Sequence, residues 1–99
     1  MEKENTKLLM ISAAASALDY LKKNPNADSE EVMKHVIRNI KAEDGKKIAG
    51  IAAANHVVKL REKNLKATQK QLMQDLSNSM DKILESIESQ NEDEEMLNL

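Results

Sequence analysis

The sequence has no cysteine, phenylalanine or tryptophan, one tyrosine, one proline and two glycines in 99 residues. Without cysteine there is no disulfide, thiolate nucleophile or cysteine metal ligand, and the chain suits a reducing compartment. One proline and two glycines are too few for the many turns of a sandwich or barrel. A single aromatic residue leaves no stacking platform for single-stranded nucleic acid. We therefore expect a cytoplasmic protein without a β-sandwich or barrel.

What the sequence does contain is a high proportion of strong helix formers, namely Ala, Leu, Met, Lys, Glu and Gln. The length fits one small domain. We predict an all-α protein, a three- to four-helix bundle with a long C-terminal helical region and a mobile acidic tail. No apolar run is long enough to span a membrane. The first residues have no net positive charge, so we expect no signal peptide.

The helix bounds follow from apolar periodicity and from end signals. Pro25 ends the first helix, Asp28 caps the second with Glu31 three residues later, and Gly45 is predicted to end the second in a left-handed conformation. The predicted single domain spans 1–89, and the acidic tail spans 90–99. Its predicted helices are approximately 6–23, 28–43, 46–65 and 68–89.

The region from 46 to 89 permits two interpretations. A spacing of seven between Ile51, Val58, Leu65 and Leu72 fits one continuous helix. Thr68-Gln69-Lys70-Gln71 has the form of a capping box, which instead indicates a new helix after a turn. We favour the break. We identify no internal repeat in the sequence.

Charge is strongly segregated along the chain, although the net charge is only −2. Residues 46–70 carry seven Lys/Arg and one Glu, giving +6, whereas residues 71–99 carry one Lys and eight Asp/Glu, giving −7. A basic helix face is compatible with a solvated surface, with self-association through charge complementarity, or with contacts to phosphate. The candidate nucleic-acid-binding residues are Lys59, Arg61, Lys63, Lys66 and Lys70.

Part of the chain resembles a known DNA-binding arrangement. Residues 17–32 (ALDYLKKNPNADSEEV) look like the first two helices of a winged-helix or helix-turn-helix domain, and residues 56–65 (HVVKLREKNL) are similar to the end of its recognition helix. The resemblance covers about half of the chain. The third helix is apolar where base-reading side chains belong, so the resemblance implies phosphate contacts by Lys59, Arg61 and Lys63.

An apolar stripe on the last predicted helix is a second candidate surface. The same spacing suits an intramolecular core or a face that docks a partner or a second copy. The candidate partner or dimer interface comprises Leu72, Leu76, Met80, Ile83 and Ile87.

These patterns predict a function in binding rather than in catalysis. The sequence has no glycine-rich phosphate loop, nucleophile–base pair or metal-ligand set, so we expect no enzyme, cofactor or metal. We predict a non-enzymatic interaction or oligomerisation protein that binds a protein partner or itself, as a dimer, through its C-terminal amphipathic helix. The alternative is a small nucleic-acid-binding regulator with a helix-turn-helix-like N-terminal part and the acidic tail as modulator. We expect no membrane partner and no small-molecule substrate.

Overall fold

The computed structural model describes the backbone of residues 2–97 and the side chains of residues 4–43 and 45–88. Within that part the chain forms four helices and no strand: α1 (Glu2–Lys23), α2 (Ser29–Asn39), α3 (Asp44–Lys63) and α4 (Gln69–Leu97). The predicted all-α bundle with a long last helix is confirmed. None of the described helices is both long and apolar enough to cross a membrane.

The two connections α1–α2 and α3–α4 are built in the same way. The Asn24 N–H donates to the Tyr20 carbonyl at 2.8 Å, and the Asn64 N–H donates to the Leu60 carbonyl at 3.0 Å. In both turns a second backbone bond closes three residues later, at 3.0 Å and 3.1 Å. The predicted break at 64–68 is therefore confirmed, and one continuous helix from 46 to 89 is excluded.

The chain consists of two helical hairpins that repeat with a spacing of 40 residues. The first hairpin is α1–α2 and the second hairpin is α3–α4, and the pattern of buried positions in one returns in the other. The expectation of no internal repeat is wrong, because the repeat preserves burial much more than residue identity. When residues 1–40 are paired with residues 41–80, only eight of the 40 pairs are identical, and their first-hairpin members are Lys7, Ile11, Ala13, Ala14, Lys23, Asn24, Ala27 and Met33.

α1 and α3 form the centre of the bundle and run parallel, since Lys22 and Arg61, near their C-terminal ends, line one groove. α1 and α3 pack closely because small residues, among them Ala13 and Gly50, lie where the two helices meet. A Cβ atom added to Gly50 would lie 3.5 Å from the Ala13 Cβ and 3.2 Å from the Ile40 Cδ1. α2 and α4 flank the central pair on opposite sides and make no contact with each other in the described part of the chain.

Each flanking helix closes a separate core against the central pair. The first core lies under α2 and contains Ala13, Ala17, Leu21, Val32, Val36, Ile40, Ala54 and Val58. The second core lies under α4 and contains Met10, Ala14, Leu18, Ala49, Ala53, Val57, Leu72, Leu76, Met80 and Leu84. A shift of 40 residues relates seven of the eight first-core residues to second-core residues, for example Val36 to Leu76, and the exception is Leu21, whose counterpart is Arg61. The hairpins are therefore related by a pseudo-two-fold axis along α1 and α3.

The predicted end of the second helix is wrong. α2 ends at Asn39, and Ile40 has an extended backbone with φ −76° and ψ 120°. That conformation turns the chain toward α3 while the Ile40 side chain stays buried in the first core. Gly45 lies in the first turn of α3 without positive φ, so it ends no helix.

The backbone helix also continues beyond the predicted end at 89. α4 runs to Leu97, so most of the segment predicted as a tail, 90–99, continues the helix. The side chains of residues 89–99 lie outside the described residues. The predicted mobility of the tail concerns these residues and so lies outside the described part as well.

Candidate functional site

The apolar stripe on α4 divides into a buried part and an edge. Three of its five predicted interface residues lie in the second core: Leu72, Leu76 and Met80. They are buried and hold α4 against α1 and α3, so the folded chain does not present them on its surface. Ile83 and Ile87 are half-buried and line a shallow groove that also includes the half-exposed Ile48.

The predicted basic residues gather at the end of the bundle that carries both turns. They occupy the last turns of α3, the α3–α4 turn and the start of α4, and all are exposed except the half-buried Arg61. None of them forms an ion pair within the described part of the chain. We term these five residues the basic surface: Lys59, Arg61, Lys63, Lys66 and Lys70.

A groove next to the basic surface combines an apolar floor with a cationic rim. It is lined by Leu18, Lys22, Arg61, Leu65, Ala67, Gln69 and Leu72, and we term it the tip groove. Leu18 and Leu72 form its buried floor, and Lys22 and Arg61 supply the cations. Leu65 is 75% exposed at its edge. The predicted site includes neither Lys22 nor Leu65: Lys22 reaches it through the parallel packing of α1 and α3, whereas Leu65 is adjacent to it in the sequence.

The first hairpin places different residues at the positions equivalent to this site. Residues 19–31 carry two Lys and four Asp/Glu, giving −2, whereas residues 59–71 carry five Lys/Arg and one Glu, giving +4. The exchanged pairs are Asp19 for Lys59, Leu21 for Arg61, Asn26 for Lys66, Glu30 for Lys70, and Glu62 for the groove residue Lys22. Two turns of the same backbone form therefore have opposite charge.

The N-terminal caps of the two flanking helices also differ in charge: α2 is capped by an aspartate and α4 by uncharged residues. The Thr68 Oγ1 accepts from the Gln71 N–H at 3.1 Å, and the Gln71 Oε1 accepts from the Thr68 N–H at 2.9 Å. The predicted capping box is confirmed. In α2 the Asp28 Oδ1 accepts from the Glu31 N–H at 2.9 Å, as predicted. The α4 cap is uncharged and its first turn has no acidic residue, so no carboxylate lies at the start of that helix.

One polar contact between α3 and α4 was not predicted. His56 Nε2 lies 2.9 Å from Asp75 Oδ1, and the Ser79 hydroxyl is 3.5 Å from the same oxygen. The carboxylate stands between the hydroxyl and the imidazole, whereas nucleophile activation requires the imidazole to contact the hydroxyl. The contact joins two helices and does not activate a nucleophile. Among the described side chains, no three His, Cys, Asp or Glu residues are grouped to hold a metal ion.

The environment of α3 departs from what the helix-turn-helix resemblance implies. A recognition helix presents a free face to a DNA groove. α3 contacts α1, α2 and α4 along its length, and its central residues Ala53, Ala54, Val57 and Val58 are buried. Any contact with nucleic acid therefore depends on the basic surface rather than on insertion of α3 into a groove.

A cationic surface, an apolar groove floor and one exposed leucine lie together at the tip of the second hairpin. Comparisons with protein-family models, with curated proteins and with solved structures found no match to the chain.

Proposed function

We propose that the chain is a non-enzymatic interaction protein that binds an acidic segment of a protein partner through the basic surface and the tip groove. The observation that carries this proposal is the opposite charge of two equivalent turns. The first hairpin forms the same turn with Asp19, Asn26 and Glu30, so the fold does not require lysines at the equivalent positions. Their presence in the second hairpin supports a role in binding.

The chemistry of the tip groove favours a protein segment as the ligand. An isolated exposed leucine is ordinary on a protein surface. Leu65, however, lies between Lys63 and Lys66 and borders a groove whose floor is apolar. A peptide with carboxylates beside an apolar side chain satisfies both the cations and the groove floor. A phosphate backbone uses the cations alone.

The proposed function is of the predicted class, binding to a protein partner, but the proposed binding surface differs from the predicted one. The predicted interface lay along the apolar stripe of α4, whereas the proposed one uses the first turn of α4 together with the ends of α1 and α3. Binding to a second copy stays within the proposal, since a second copy is also a protein partner. The predicted cytoplasmic location remains part of the proposal.

A second candidate function is sequence-independent binding of nucleic acid. Five basic side chains without an ion pair in the described part of the chain favour it, because phosphate binding depends on clustered Lys and Arg. The only tyrosine, Tyr20, stacks on His35 in the first hairpin with ring centroids 4.5 Å apart. Binding would therefore rest on phosphate contacts and weaken steeply with salt.

Fluorescence anisotropy with two labelled probes tests the proposal. The probes are a peptide of consecutive glutamates followed by two leucines, and a single-stranded DNA. The variant K66E/K70E should weaken peptide binding at least about tenfold, because it reverses two charges at the site. The control K41E/K82E changes the net charge equally at exposed positions elsewhere and should bind as the parent does. Equal loss in both variants would contradict a localised site.

The variant L65S separates the two candidate functions. It removes the apolar contact and leaves every charge in place, so peptide binding should weaken while DNA binding is unchanged. DNA binding without peptide binding in the parent chain would overturn the protein-partner proposal and support the second candidate.

A further inference from the structure

We infer that the acidic segment bound at the tip groove is residues 92–99 of a second copy of this chain. The inference rests on the proposed function and names its partner. The segment carries four consecutive carboxylates, Glu92 to Glu95, followed directly by Met96 and Leu97. Carboxylates next to apolar side chains are the chemistry that the cationic rim and apolar floor of the tip groove accommodate.

A chain does not place this segment on its own tip groove. Gln69 lines the groove and is the first residue of α4, which runs away from it to Leu97. At 1.5 Å per residue the helix carries residue 92 roughly 35 Å from Gln69. The segment and the groove therefore belong to opposite ends of one molecule, and an occupant from this sequence comes from another copy.

Two antiparallel copies satisfy both ends at once. The molecule is elongated, with extents of 46 × 25 × 25 Å, so a neighbour lying antiparallel beside it brings each acidic segment to the other's tip groove. A two-fold axis makes the two contacts identical and closes the pair. Each copy presents +4 over residues 59–71 and −4 over residues 92–99. Two linked contacts also bind more tightly than one.

Sedimentation velocity on the full chain with two complementary variants tests this pairing. The tip variant is K66E/K70E, and the tail variant is E92Q/D93N/E94Q/E95Q, which removes charge and keeps side-chain size. At about 0.1 M salt, where the Debye length is ~10 Å, the parent chain should be a dimer, and at about 1 M it should shift toward monomer. Each variant alone should dissociate at least about tenfold more readily than the parent.

The mixture of the two variants is the decisive sample. A tip variant still carries an intact acidic segment and a tail variant an intact tip groove, so an equimolar mixture should form a 1:1 pair that is weaker than the parent dimer. K41E/K82E should dimerise as the parent does. A mixture that stays monomeric, or variants that dimerise alone as well as the parent, would overturn the pairing.

The peptide probe separates failure of this inference from failure of the proposed function. A parent chain that stays monomeric and yet binds the acidic peptide overturns the second copy as partner and supports the proposed function. A parent chain that neither dimerises nor binds the peptide overturns both.

Discussion

The two hairpins have the same arrangement of helices and turn, and they differ in charge mainly at exposed positions. Buried positions keep their character: Val32 and Val36 of the first core correspond to Leu72 and Leu76 of the second. Exposed positions around the turns differ in sign of charge, from −2 over residues 19–31 to +4 over residues 59–71. The pseudo-symmetric packing therefore constrains the cores, and the surface of the second hairpin is free to serve binding.

The pseudo-symmetry is broken inside the bundle at several pairs of positions, and Met10 and Gly50 form one of them. Met10 is fully buried in the second core, whereas its counterpart Gly50 has no side chain. Ile40, at the start of the link between the hairpins, packs at that level, and its Cδ1 would lie 3.2 Å from a Cβ on Gly50. Ile40, Ala13 and Leu9 therefore leave little room for a side chain at position 50.

Truncation of a core residue should have the largest effect on the free energy of unfolding. Truncation at equivalent positions compares the two cores directly. Leu76→Ala should lower the free energy of unfolding by about 3 kcal/mol, and Val36→Ala by about 2 kcal/mol, since leucine loses one more methylene group. Urea denaturation followed by circular dichroism measures both. Ser77→Ala, at an exposed position on the same helix, should change stability by less than about 0.5 kcal/mol. A larger loss for Val36→Ala would show that the first core carries more of the stability.

Periodicity predicted the four helices because apolar residues recur at helical spacing in each: α2 and α4 bury one face, and α1 and α3 bury residues in both cores. The turns were also predictable, from Pro25 in the first hairpin and from the Thr68–Gln71 capping box in the second. The end of α2 was not, because glycine at 45 suits the start of a helix as well as the end of one. The repeat was hidden because it preserves burial rather than identity, with Val36 and Leu76 at equivalent buried positions and Glu30 and Lys70 at equivalent exposed ones.

The candidate site was predictable only in part. The five basic residues lie within the twelve residues 59–70, and periodicity placed them around a helix end. Lys22 joins them through the parallel packing of α1 and α3, which no local pattern records. The stripe from Leu72 to Met80 was assigned to a partner surface since a core helix and a docking helix have the same apolar spacing. Only packing against α1 and α3 decides between them.

Removal of either helix cap should lower the free energy of unfolding by less than truncation of a core residue does. The two variants compare a neutral cap with a charged one. Thr68→Ala and Asp28→Ala should each lower the free energy of unfolding by about 1 kcal/mol, because each leaves a first-turn N–H without its side-chain acceptor. The loss for Asp28→Ala should shrink between about 0.1 M and 1 M salt, since part of it comes from the carboxylate at the positive end of the helix. Urea denaturation at both salt concentrations measures this, and a salt-dependent loss for Thr68→Ala would contradict it.

The smallest predicted effect concerns the tip residue and separates stability from binding. Leu65→Pro should raise the free energy of unfolding by about 0.5 kcal/mol, since proline restricts the unfolded chain and Pro25 occupies the same place in the first turn. No bond of the Leu65 N–H occurs among the described backbone contacts, and Asn64 before it lies outside the helical region at φ −140° and ψ 87°. The same variant should bind the glutamate–leucine peptide more weakly. If stability falls instead, Leu65 is needed for the turn, and its exposure no longer argues for a binding role.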